Sequence, residues 1–412
     1  QSHKPVLEQD EAVGHAVRAG YMYSGMADVA AITGDSSYVR AIDRIWENIV
    51  GKKIYITGGI GARHEGEAFG DNYELPNLTA YNETCAAIGN VYTNYRLFLL
   101  HGDAKYFDVL ERTLYNGLIS GVSLDGGRFF YPNPLACDGK YRFNADHTIT
   151  RQPWFGCACC PSNISRFIPS LPGYVYAVKD DKVYVNLFLS NRTKLKVNGK
   201  NVVLEQETSY PWNGDIRLTV AKGNQPFVMN VRIPGWVCGS VLPGGLYSYA
   251  DGEELAYRVS VNGQEVKGAL QKGYLSIDRR WKKGDVVEIH FDMQPRVVKA
   301  NDKVAADRGR VAIECGPLVY CAEWPDNDFD ISTLLLNRHP KFQVVERPDL
   351  LGGINEITTR AQALSYDATG RLAAKDVKLT LIPYYAWAHR GEGRMEVWLP
   401  IEVGAASAEL QE

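Results

Sequence analysis

The sequence lacks an excess of charge of either sign and lacks any long apolar run. Its 412 residues contain 45 Lys and Arg against 48 Asp and Glu, a formal net charge of −3. This balance gives no electrostatic footprint for nucleic acid or for an anionic membrane surface, so neither is expected as a partner. No apolar run approaches the roughly 18 residues of a membrane span, and no signal-peptide pattern opens the chain.

Cysteine is also scarce, with eight residues in 412, which excludes a disulfide framework. Four of them, Cys137, Cys238, Cys315 and Cys321, are scattered in mixed or apolar surroundings and are interpreted as small buried side chains. The others are grouped on two short stretches, Glu-Thr-Cys at 83–85 and Cys-Ala-Cys-Cys-Pro at 157–161. Grouped thiols beside a carboxylate indicate a zinc site with sulfur and oxygen ligands.

The first 175 residues carry the apolar spacing of helices. We predict helices over 11–33, 36–50, 80–100 and from Asp103 to about 118, joined by short turns that imply antiparallel pairs. The chain begins with Gln1 rather than Met and is expected to be part of a longer polypeptide.

From about residue 173 the apolar period changes to two, which is typical of β-strands. Strands are predicted over 183–189, 227–233, 286–291, 311–313, 318–321, 379–382 and 395–399. Asp251-Gly252 and Asn262-Gly263 are predicted hairpin turns. The simplest arrangement is two β-sandwiches, over 176–300 and 301–394, that follow a helical domain over 1–175.

The spacing of the two cysteine stretches supports Glu83, Cys85, Cys159 and Cys160 as four ligands, and Cys157 could replace one of them. Residues i and i+2 diverge on a regular helix, so Glu83 and Cys85 can converge only where the backbone is irregular, which we expect at the start of the 80–100 helix. Pro161 suits the first position of a helix over 162–171, which would place two thiols at its N-terminus. A closed structural zinc site and a metal-free cluster of buried cysteines remain alternatives at this point.

Several motifs resemble one known family. Gly-Glu-Ala-Phe at 66–69, Tyr-Asn-Glu-Thr-Cys-Ala at 81–86 and Cys-Ala-Cys-Cys-Pro-Ser-Asn at 157–163 are similar to those of the β-L-arabinofuranosidases of glycoside hydrolase family 127. The motifs at 14–19, 57–61, 232–236 and 316–321 agree in the same order, so the resemblance covers essentially the whole chain. It implies an (α/α)6-barrel followed by β-sandwich domains, with only about half of the barrel present here. The upstream half is an expected partner, and the final strand, within 395–412, is expected to return to the first sandwich.

The resemblance also implies the chemistry. A retaining glycosidase of this kind uses a zinc-bound cysteine as its nucleophile, which matches Cys159. The zinc ligands would then be Glu83, Cys85, Cys159 and Cys160. The expected substrate is an oligosaccharide carrying terminal β-L-arabinofuranose or a related L-sugar.

The remaining site residues follow from the same match and from their side chains. Glu67 corresponds to the general acid/base, and His15 and Tyr131 to positions that contact the sugar. His15 is predicted to lie in the middle of the first helix. Trp154 either stacks on a furanose ring or packs in the core, and Arg63 is a candidate partner for an acidic sugar.

Two other function classes stay open. Helical toroids joined to β-sandwiches also occur in polysaccharide lyases, but β-elimination needs a Tyr or His base and has no use for a cysteine cluster. A non-catalytic carbohydrate-binding protein with structural zinc is the third interpretation. The sequence leaves the oligomeric state open, as well as the compartment, since a zinc-protected thiolate survives in both the cytoplasm and the periplasm.

Overall fold

A computed structural model describes residues 1–407 of the chain and shows a helical N-terminal part followed by sheet-rich domains. The predicted change from helix to strand near residue 175 is confirmed. The helices are α1 (Ala16–Thr33), α2 (Ser36–Asn48), α3 (Thr84–His101), α4 (Lys105–Arg112), α5 (Cys159–Phe167), α6 (Pro172–Val175) and the terminal α7 (Val403–Ser407). Residues 1–175 are called the helical unit below. No helix within 1–407 combines the length and apolar character needed to cross a bilayer.

Helices α1 and α3 pack closely because each has a glycine at the point where they cross, Gly20 in α1 and Gly89 in α3. A Cβ atom on Gly20 would lie 3.0–3.1 Å from the backbone of Gly89, so any larger residue would force the helices apart. Thr93 Oγ1 donates to the Gly20 carbonyl oxygen at 2.9 Å across the same contact. This close approach fixes the start of α3 relative to the start of α1, where several predicted site residues lie.

Two predicted helices change type before they end. Helix α2 ends at Asn48 and is followed by a π-helical segment, Ile49–Lys53, which extends beyond the predicted end at residue 50. Helix α4 likewise passes into a π-helical segment, Thr113–Leu118. Wider π turns are found mostly as short insertions, often near functional sites.

The first β region consists of a four-stranded and a six-stranded sheet, ordered β11-β7-β3-β2 and β10-β9-β12-β6-β5-β4. Their inner residues belong to the same large apolar core as the helical unit. The strands are β2 (Tyr176–Lys179), β3 (Lys182–Val185), β4 (Asn191–Val197), β5 (Lys200–Thr208), β6 (Asp215–Lys222), β7 (Asn224–Arg232), β9 (Tyr257–Val261), β10 (Gln264–Glu265), β11 (Tyr274–Lys282) and β12 (Val286–Phe291).

The remaining strands form an 11-stranded sheet, called the C-terminal sheet below, with its own second core. Its main order is β16-β18-β19-β15-β14-β13-β8, with four further strands pairing at the sides. The strands are β1 (Ala136–Asp138), β8 (Tyr247–Tyr249), β13 (Pro295–Ala300), β14 (Arg310–Cys315), β15 (Leu318–Glu323), β16 (Leu334–Leu336), β17 (Gln343–Arg347), β18 (Ile354–Tyr366), β19 (Leu372–Pro383), β20 (Arg394–Glu396) and β21 (Leu399–Pro400).

The β regions differ from expectation in the sheet that the last strands join and in one predicted hairpin turn. Strand β20 pairs with β1 of the helical unit and with β15, and β21 pairs with β14, so the last strands within 1–407 join the C-terminal sheet rather than the first β region. Residues 408–412 of the predicted terminal segment lie outside the described part. Asn262-Gly263 joins β9 to β10 as predicted, but Asp251-Gly252 joins β8 to β9, which belong to different sheets.

Buried ion pairs join α4 to both β regions. Arg232 of β7 contacts Asp108 Oδ1 at 2.9 Å and Glu111 Oε1 at 2.5 Å. Arg112 contacts Glu314 Oε2 of β14 at 2.6 Å, and both side chains are buried. Paired burial of this kind offsets the cost of removing the charges from water only when both partners are present.

Candidate active site

The change of backbone conformation at the start of α3 brings Glu83 and Cys85 together. Glu83 directly precedes the helix with φ −59° and ψ 138°, outside the helical region, while Cys85 is the second helical residue. Both side chains are buried. The irregular start of the helix thus allows two side chains at i and i+2 to point to one place, as the sequence required.

Cys159 and Cys160 are the first two residues of α5. The helix therefore begins three residues earlier than the predicted Ser162, and Pro161 is its third residue rather than its first. Proline is tolerated there because the first N–H groups of a helix have no acceptor within the helix. Both thiols still lie at a helix N-terminus, where the backbone dipole favours thiolate.

The structure brings the four predicted ligands into one cluster. One ligand atom each of Glu83, Cys85, Cys159 and Cys160 lies within 4.8 Å of the others. Each sulfur of the Cys159–Cys160 pair is 3.5 Å from Glu83 Oε1, and the two sulfurs are 3.8 Å apart. Cys159 is the partly exposed member, and the other three are buried.

The chemistry of this cluster fits a bound cation. The second carboxylate oxygen of Glu83 is buried and has no hydrogen-bond partner within residues 1–407. Burial, reinforced by the neighbouring Cys159, raises the pKa of Glu83 to about 9. Burial also raises the pKa of Cys160, whereas hydrogen bonds from Cys160 and Cys85 lower the pKa of Cys159. Four acidic groups cannot all ionise here without a compensating positive charge, and a thiolate-rich donor set suits zinc.

Tyr131 lies against the exposed side of the cluster. Its hydroxyl is 2.9 Å from Cys159 Sγ and 3.9 Å from Cys157 Sγ. The main chain of Tyr131 is held by Thr84, whose N–H donates to its carbonyl at 2.9 Å, and by Asn144 Oδ1, which accepts from its N–H at 2.9 Å. Burial raises the pKa of Tyr131, so the hydroxyl keeps its proton and can donate it to a thiolate.

Glu67 ends a short 3₁₀ turn, Glu65–Glu67, with a left-handed φ of 49°. Its carboxylate lies 2.7 Å from His15 Nε2 and accepts from the Tyr81 hydroxyl at 3.1 Å. One ligand atom each of His15, Glu67 and Glu83 lies within 4.8 Å of the others. Glu83 therefore belongs both to this group and to the cysteine cluster, which places Glu67 beside the cluster.

The prediction that His15 lies in the middle of a helix is wrong. Helix α1 begins at Ala16, and His15 precedes it with φ −58° and ψ 117°. The Gly14 carbonyl accepts from Phe69 N at 2.9 Å, and His15 forms a β-bridge with Ala68. Pairing with the Glu67 loop thus holds His15 outside the helix, where its imidazole contacts the Glu67 carboxylate.

A cleft of about 500 Å³ opens beside these groups. Glu67, Tyr81, Tyr131 and Cys157 line one part of it, and the loop 141–147 lines another. Trp154 is not among the lining residues, and its side chain is 60% exposed. The buried neighbour Phe155 lines the cleft instead and packs edge-on against Tyr131, with ring centroids 5.7 Å apart.

Arg63 does not face an open binding position. Its guanidinium pairs with Glu74 and, at 3.0 Å, with Asp71. These two carboxylates already neutralise the positive charge of Arg63, which had been predicted to bind an acidic sugar.

Tyr81 is one of the site residues that sequence reasoning missed. It lies in the motif at 81–86, where the neighbouring glutamate and cysteine drew attention, and a tyrosine there gives no signal of its own. Asn144 and the loop 141–147 carry no pattern that distinguishes them from an ordinary surface loop. Their place at the cleft depends on contacts with Tyr131 that only the fold creates.

Comparison with family models matches the chain in three parts. Residues 1–173 match the model described as the β-L-arabinofuranosidase, GH127 catalytic domain, and residues 182–293 match the corresponding middle domain. Residues 295–400 match the glycoside hydrolase family 127 C-terminal domain.

Individual relatives agree. The chain is 37% identical over 423 residues to the non-reducing end β-L-arabinofuranosidase of Bifidobacterium longum subsp. longum, covering 97% of this chain and 61% of that protein. A solved GH127 β-arabinofuranosidase is 75% identical with a TM-score of 0.95, covering 98% of this chain and 63% of that one. A GH127 β-L-arabinofuranosidase from Geobacillus stearothermophilus T6 is 41% identical with a TM-score of 0.89, covering 97% and 62%. The chain thus spans less than two thirds of the length of each.

Proposed function

The chain belongs to glycoside hydrolase family 127, and from this membership and the site geometry we propose that it acts as a retaining β-L-arabinofuranosidase. Its substrate would be an oligosaccharide with terminal β-L-arabinofuranose or a related L-sugar. The names of the relatives support the sugar, and the Cys159–Glu67 arrangement supports the reaction.

The observation that carries the proposal is the exposure of one sulfur. Cys85 and Cys160 are buried, whereas Cys159 is partly exposed, with the Tyr131 hydroxyl 2.9 Å from its sulfur. The lowered pKa of Cys159 supports a thiolate at neutral pH. A thiolate is an intrinsically strong nucleophile and needs no further base.

In the proposed first step, the Cys159 sulfur forms a bond to the anomeric carbon while the glycosidic C–O bond breaks. Glu67, as a carboxylic acid, gives its proton to the departing oxygen. In the second step Glu67 takes a proton from water, whose oxygen bonds to the anomeric carbon as the C–S bond breaks. Two displacements at one carbon retain its configuration.

His15 and Tyr81 would hold the Glu67 carboxylate in place, through contacts of 2.7 and 3.1 Å. Imidazole and hydroxyl groups at the same spot are also suitable partners for sugar hydroxyls.

Glu83, Cys85, Cys159 and Cys160 would hold a zinc ion, whose contribution when bound is to keep the Cys159 sulfur deprotonated and to moderate its reactivity. The unpartnered Glu83 oxygen and the raised pKa of this carboxyl support a cation at this place. The Cys159 sulfur reaches the cleft through Tyr131, which lines the cleft and whose hydroxyl lies 2.9 Å from that sulfur.

The helical unit would form about half of an (α/α)6-barrel, with the β regions folded as sandwiches. The coverage of 61–63% of the relatives supports a missing portion. Apolar residues on the outer face of α1 support it too, since Ile32 is 84% exposed and Val29 and Tyr21 are also exposed. An apolar helix face of this kind is suited to pack against further helices.

The test is a single-atom change at the proposed nucleophile in the full-length protein. Cys159→Ser should lower kcat on an aryl β-L-arabinofuranoside by more than about 10⁴-fold, because the hydroxyl is not ionised at neutral pH. Cys238→Ser is the matched control, since Cys238 is also partly exposed but lies outside the cluster. Unchanged turnover by Cys159→Ser would refute the nucleophile and favour a structural zinc site.

A further inference from the structure

Arg151 is a buried cation without an acidic partner. Its side chain is 2% exposed, and among residues 1–407 no carboxylate lies within ion-pair distance of it. Burial accordingly lowers its pKa to about 9, although it remains protonated at neutral pH. Burying an unpaired charge is costly unless hydrogen bonds replace its water, so the contacts of this side chain indicate what it does.

Those contacts join the helical unit to the C-terminal sheet. Arg151 Nε donates to the Ser120 carbonyl at 3.0 Å, within the helical unit. Nη1 donates to the Trp387 carbonyl at 2.6 Å and Nη2 to the Tyr385 carbonyl at 3.1 Å, both in the segment 384–389 that follows β19. The planar guanidinium thus fixes two backbone segments far apart in sequence in one geometry.

The same guanidinium lies over an aromatic ring beside the candidate site. It is 4.3 Å from the centroid of Phe130, and Phe130 stacks on Trp387 with centroids 5.2 Å apart and planes inclined by 27°. The residue after Arg151, Gln152, exchanges two main-chain hydrogen bonds with Phe129, of 2.7 and 2.8 Å. Phe129 and Phe130 are therefore held from the side of Arg151 and from the side of the C-terminal sheet.

Tyr131 directly follows Phe130 in the chain, and its hydroxyl lies 2.9 Å from Cys159 Sγ. From this chain of contacts we infer that Arg151 is a positioning residue, through which the 384–389 segment holds Tyr131 against the proposed nucleophile. The inference rests on the proposed function of Cys159. It makes the C-terminal sheet a part of the wall of the site rather than an accessory surface.

The segment 384–389 has other attachments that would survive the loss of Arg151. The Tyr384 hydroxyl donates to the Pro134 carbonyl at 2.9 Å. His389 Nε2 accepts from Leu124 N at 3.1 Å, which leaves Nδ1 to donate to the Ala386 carbonyl at 2.8 Å. The two units therefore stay docked in an Arg151 variant, and the effect on Tyr131 can be measured in a folded protein.

A double-mutant cycle in the full-length protein tests the inference. Arg151→Met removes the fork of donors and should lower kcat by about 10- to 100-fold, the range expected for a misplaced catalytic group. Tyr131→Phe removes the hydroxyl. If Arg151 acts through that hydroxyl, Arg151→Met in the Tyr131→Phe background should change kcat by less than about 3-fold.

Arg296→Met is the matched control. Arg296 is buried, lies 3.4 Å over the Tyr249 ring and donates to the Trp236 and Glu253 carbonyls, all outside the cleft, and it differs from Arg151 in also pairing with Asp251. It should lower the thermal midpoint while leaving kcat unchanged. If Arg151→Met does not fold, Arg151→Lys replaces it in the same cycle, because lysine keeps the charge and loses the fork.

Equal losses from Arg151→Met in both backgrounds would overturn the inference, since a general structural defect multiplies with the loss of Tyr131. A kcat unchanged by Arg151→Met would overturn it as well. Failure of the proposed function is seen separately, as turnover that survives Cys159→Ser.

Discussion

The distribution of protons in the cysteine cluster is unusual for four neighbouring residues. Glu83, with a pKa raised to about 9 by burial, is neutral at pH 7, whereas the pKa of Cys159 is lowered by hydrogen bonds from Cys160 and Cys85. The pKa values of Cys85 and Cys160 are raised. Without a cation the cluster thus carries its negative charge on Cys159 and keeps protons on the other three.

Metal binding should therefore release protons. At pH 7 a divalent cation must displace those held by Glu83, Cys85 and Cys160, because only the ionised forms are ligands. Calorimetric zinc titrations in two buffers of different ionisation enthalpy should give different heats, and Glu83→Gln should reduce the number of protons released by one. Identical heats in both buffers would mean that the ligands are already ionised.

The same shifts set the pH dependence of stability. The raised pKa of Glu83 makes stability fall as pH rises from its ordinary 4.5 to about 9, because the folded state keeps a proton that the unfolded chain releases. The lowered pKa of Cys159 acts oppositely over this window, since the unfolded thiol keeps a proton that the folded state has lost. The two contributions offset each other without metal. For the proposed zinc site, the increase in Tm on adding zinc should grow from pH 6 to pH 8, because the ligands bind a cation only after losing their protons.

Sequence reasoning found the four cluster residues because their chemistry is rare and their spacing leaves few arrangements. It placed His15 inside a helix because the apolar spacing continues through Gly14 and Ala16. The β-bridge from His15 to Ala68, which overrides that spacing, is a tertiary contact without a local signal. Trp154 was selected for its ring alone, and burial of its neighbour Phe155 decides which of the two faces the cleft.

At the scale of a single element, the turn Glu65–Glu67 holds Glu67, the proposed acid/base, in a strained backbone conformation. Gly66 and Glu67 have successive φ values of 67° and 49°, both left-handed. Left-handed conformations cost about 1–2 kcal/mol for a residue with a Cβ, so the surrounding bridges to residues 14–15 must maintain this turn. Because Gly66 has no Cβ atom, only Glu67 bears this conformational cost.

Gly66→Ala should therefore affect both stability and activity. A Cβ atom would meet only Ala68 Cβ, at 3.9 Å, so the effect is conformational rather than steric. We expect a loss of about 1–2 kcal/mol in the free energy of unfolding and a fall in kcat as Glu67 moves. Gly102→Ala is the control, because Gly102 has φ 62° at the end of α3 with open space around it, and it should cost stability alone. Equal kcat values for the two variants would show that the turn does not position Glu67.

Element boundaries could be predicted only where a local signal fixes them. The end of α1 at Thr33 and the start of α2 at Ser36 match the predicted bounds, because Gly34 adopts a left-handed φ of 70° and the Asp35 side chain accepts from Ser37 N at 2.8 Å. The start of α5 was placed too late because proline is compatible with several positions of a first turn. The π-helical segments after α2 and α4 have no sequence signal at all.

At the scale of the whole molecule, buried charges join the units that the sequence shows as separate. Arg112 and Glu314 are 2.6 Å apart and come from the helical unit and the C-terminal sheet. Their separation of some two hundred positions could not be inferred from either residue, since isolated charged residues are usually solvated. The family resemblance predicted the order of the domains but not these contacts.

Arg112→Met should destabilise the protein by about 3–5 kcal/mol, because it leaves the Glu314 carboxylate buried and unpaired. Adding Glu314→Gln should recover a large part of that loss, since a neutral amide is far less costly to bury. Chemical denaturation of the wild type, both single variants and the double variant measures this cycle. A double variant no more stable than Arg112→Met would show that the pair is not coupled.

Strand β1 lies between the two cysteine stretches in sequence and pairs with β20, residues 394–396. The Tyr384 hydroxyl donates to the carbonyl of Pro134, just before β1. The ribosome synthesises β1 long before β20, the strand on which the position of β1 depends. A nascent chain that has passed Cys160 already contains all the side chains proposed for hydrolysis, yet the strand that completes their surroundings has still to be translated. Hydrolytic competence should thus arise only after the C-terminal sheet has emerged and docked.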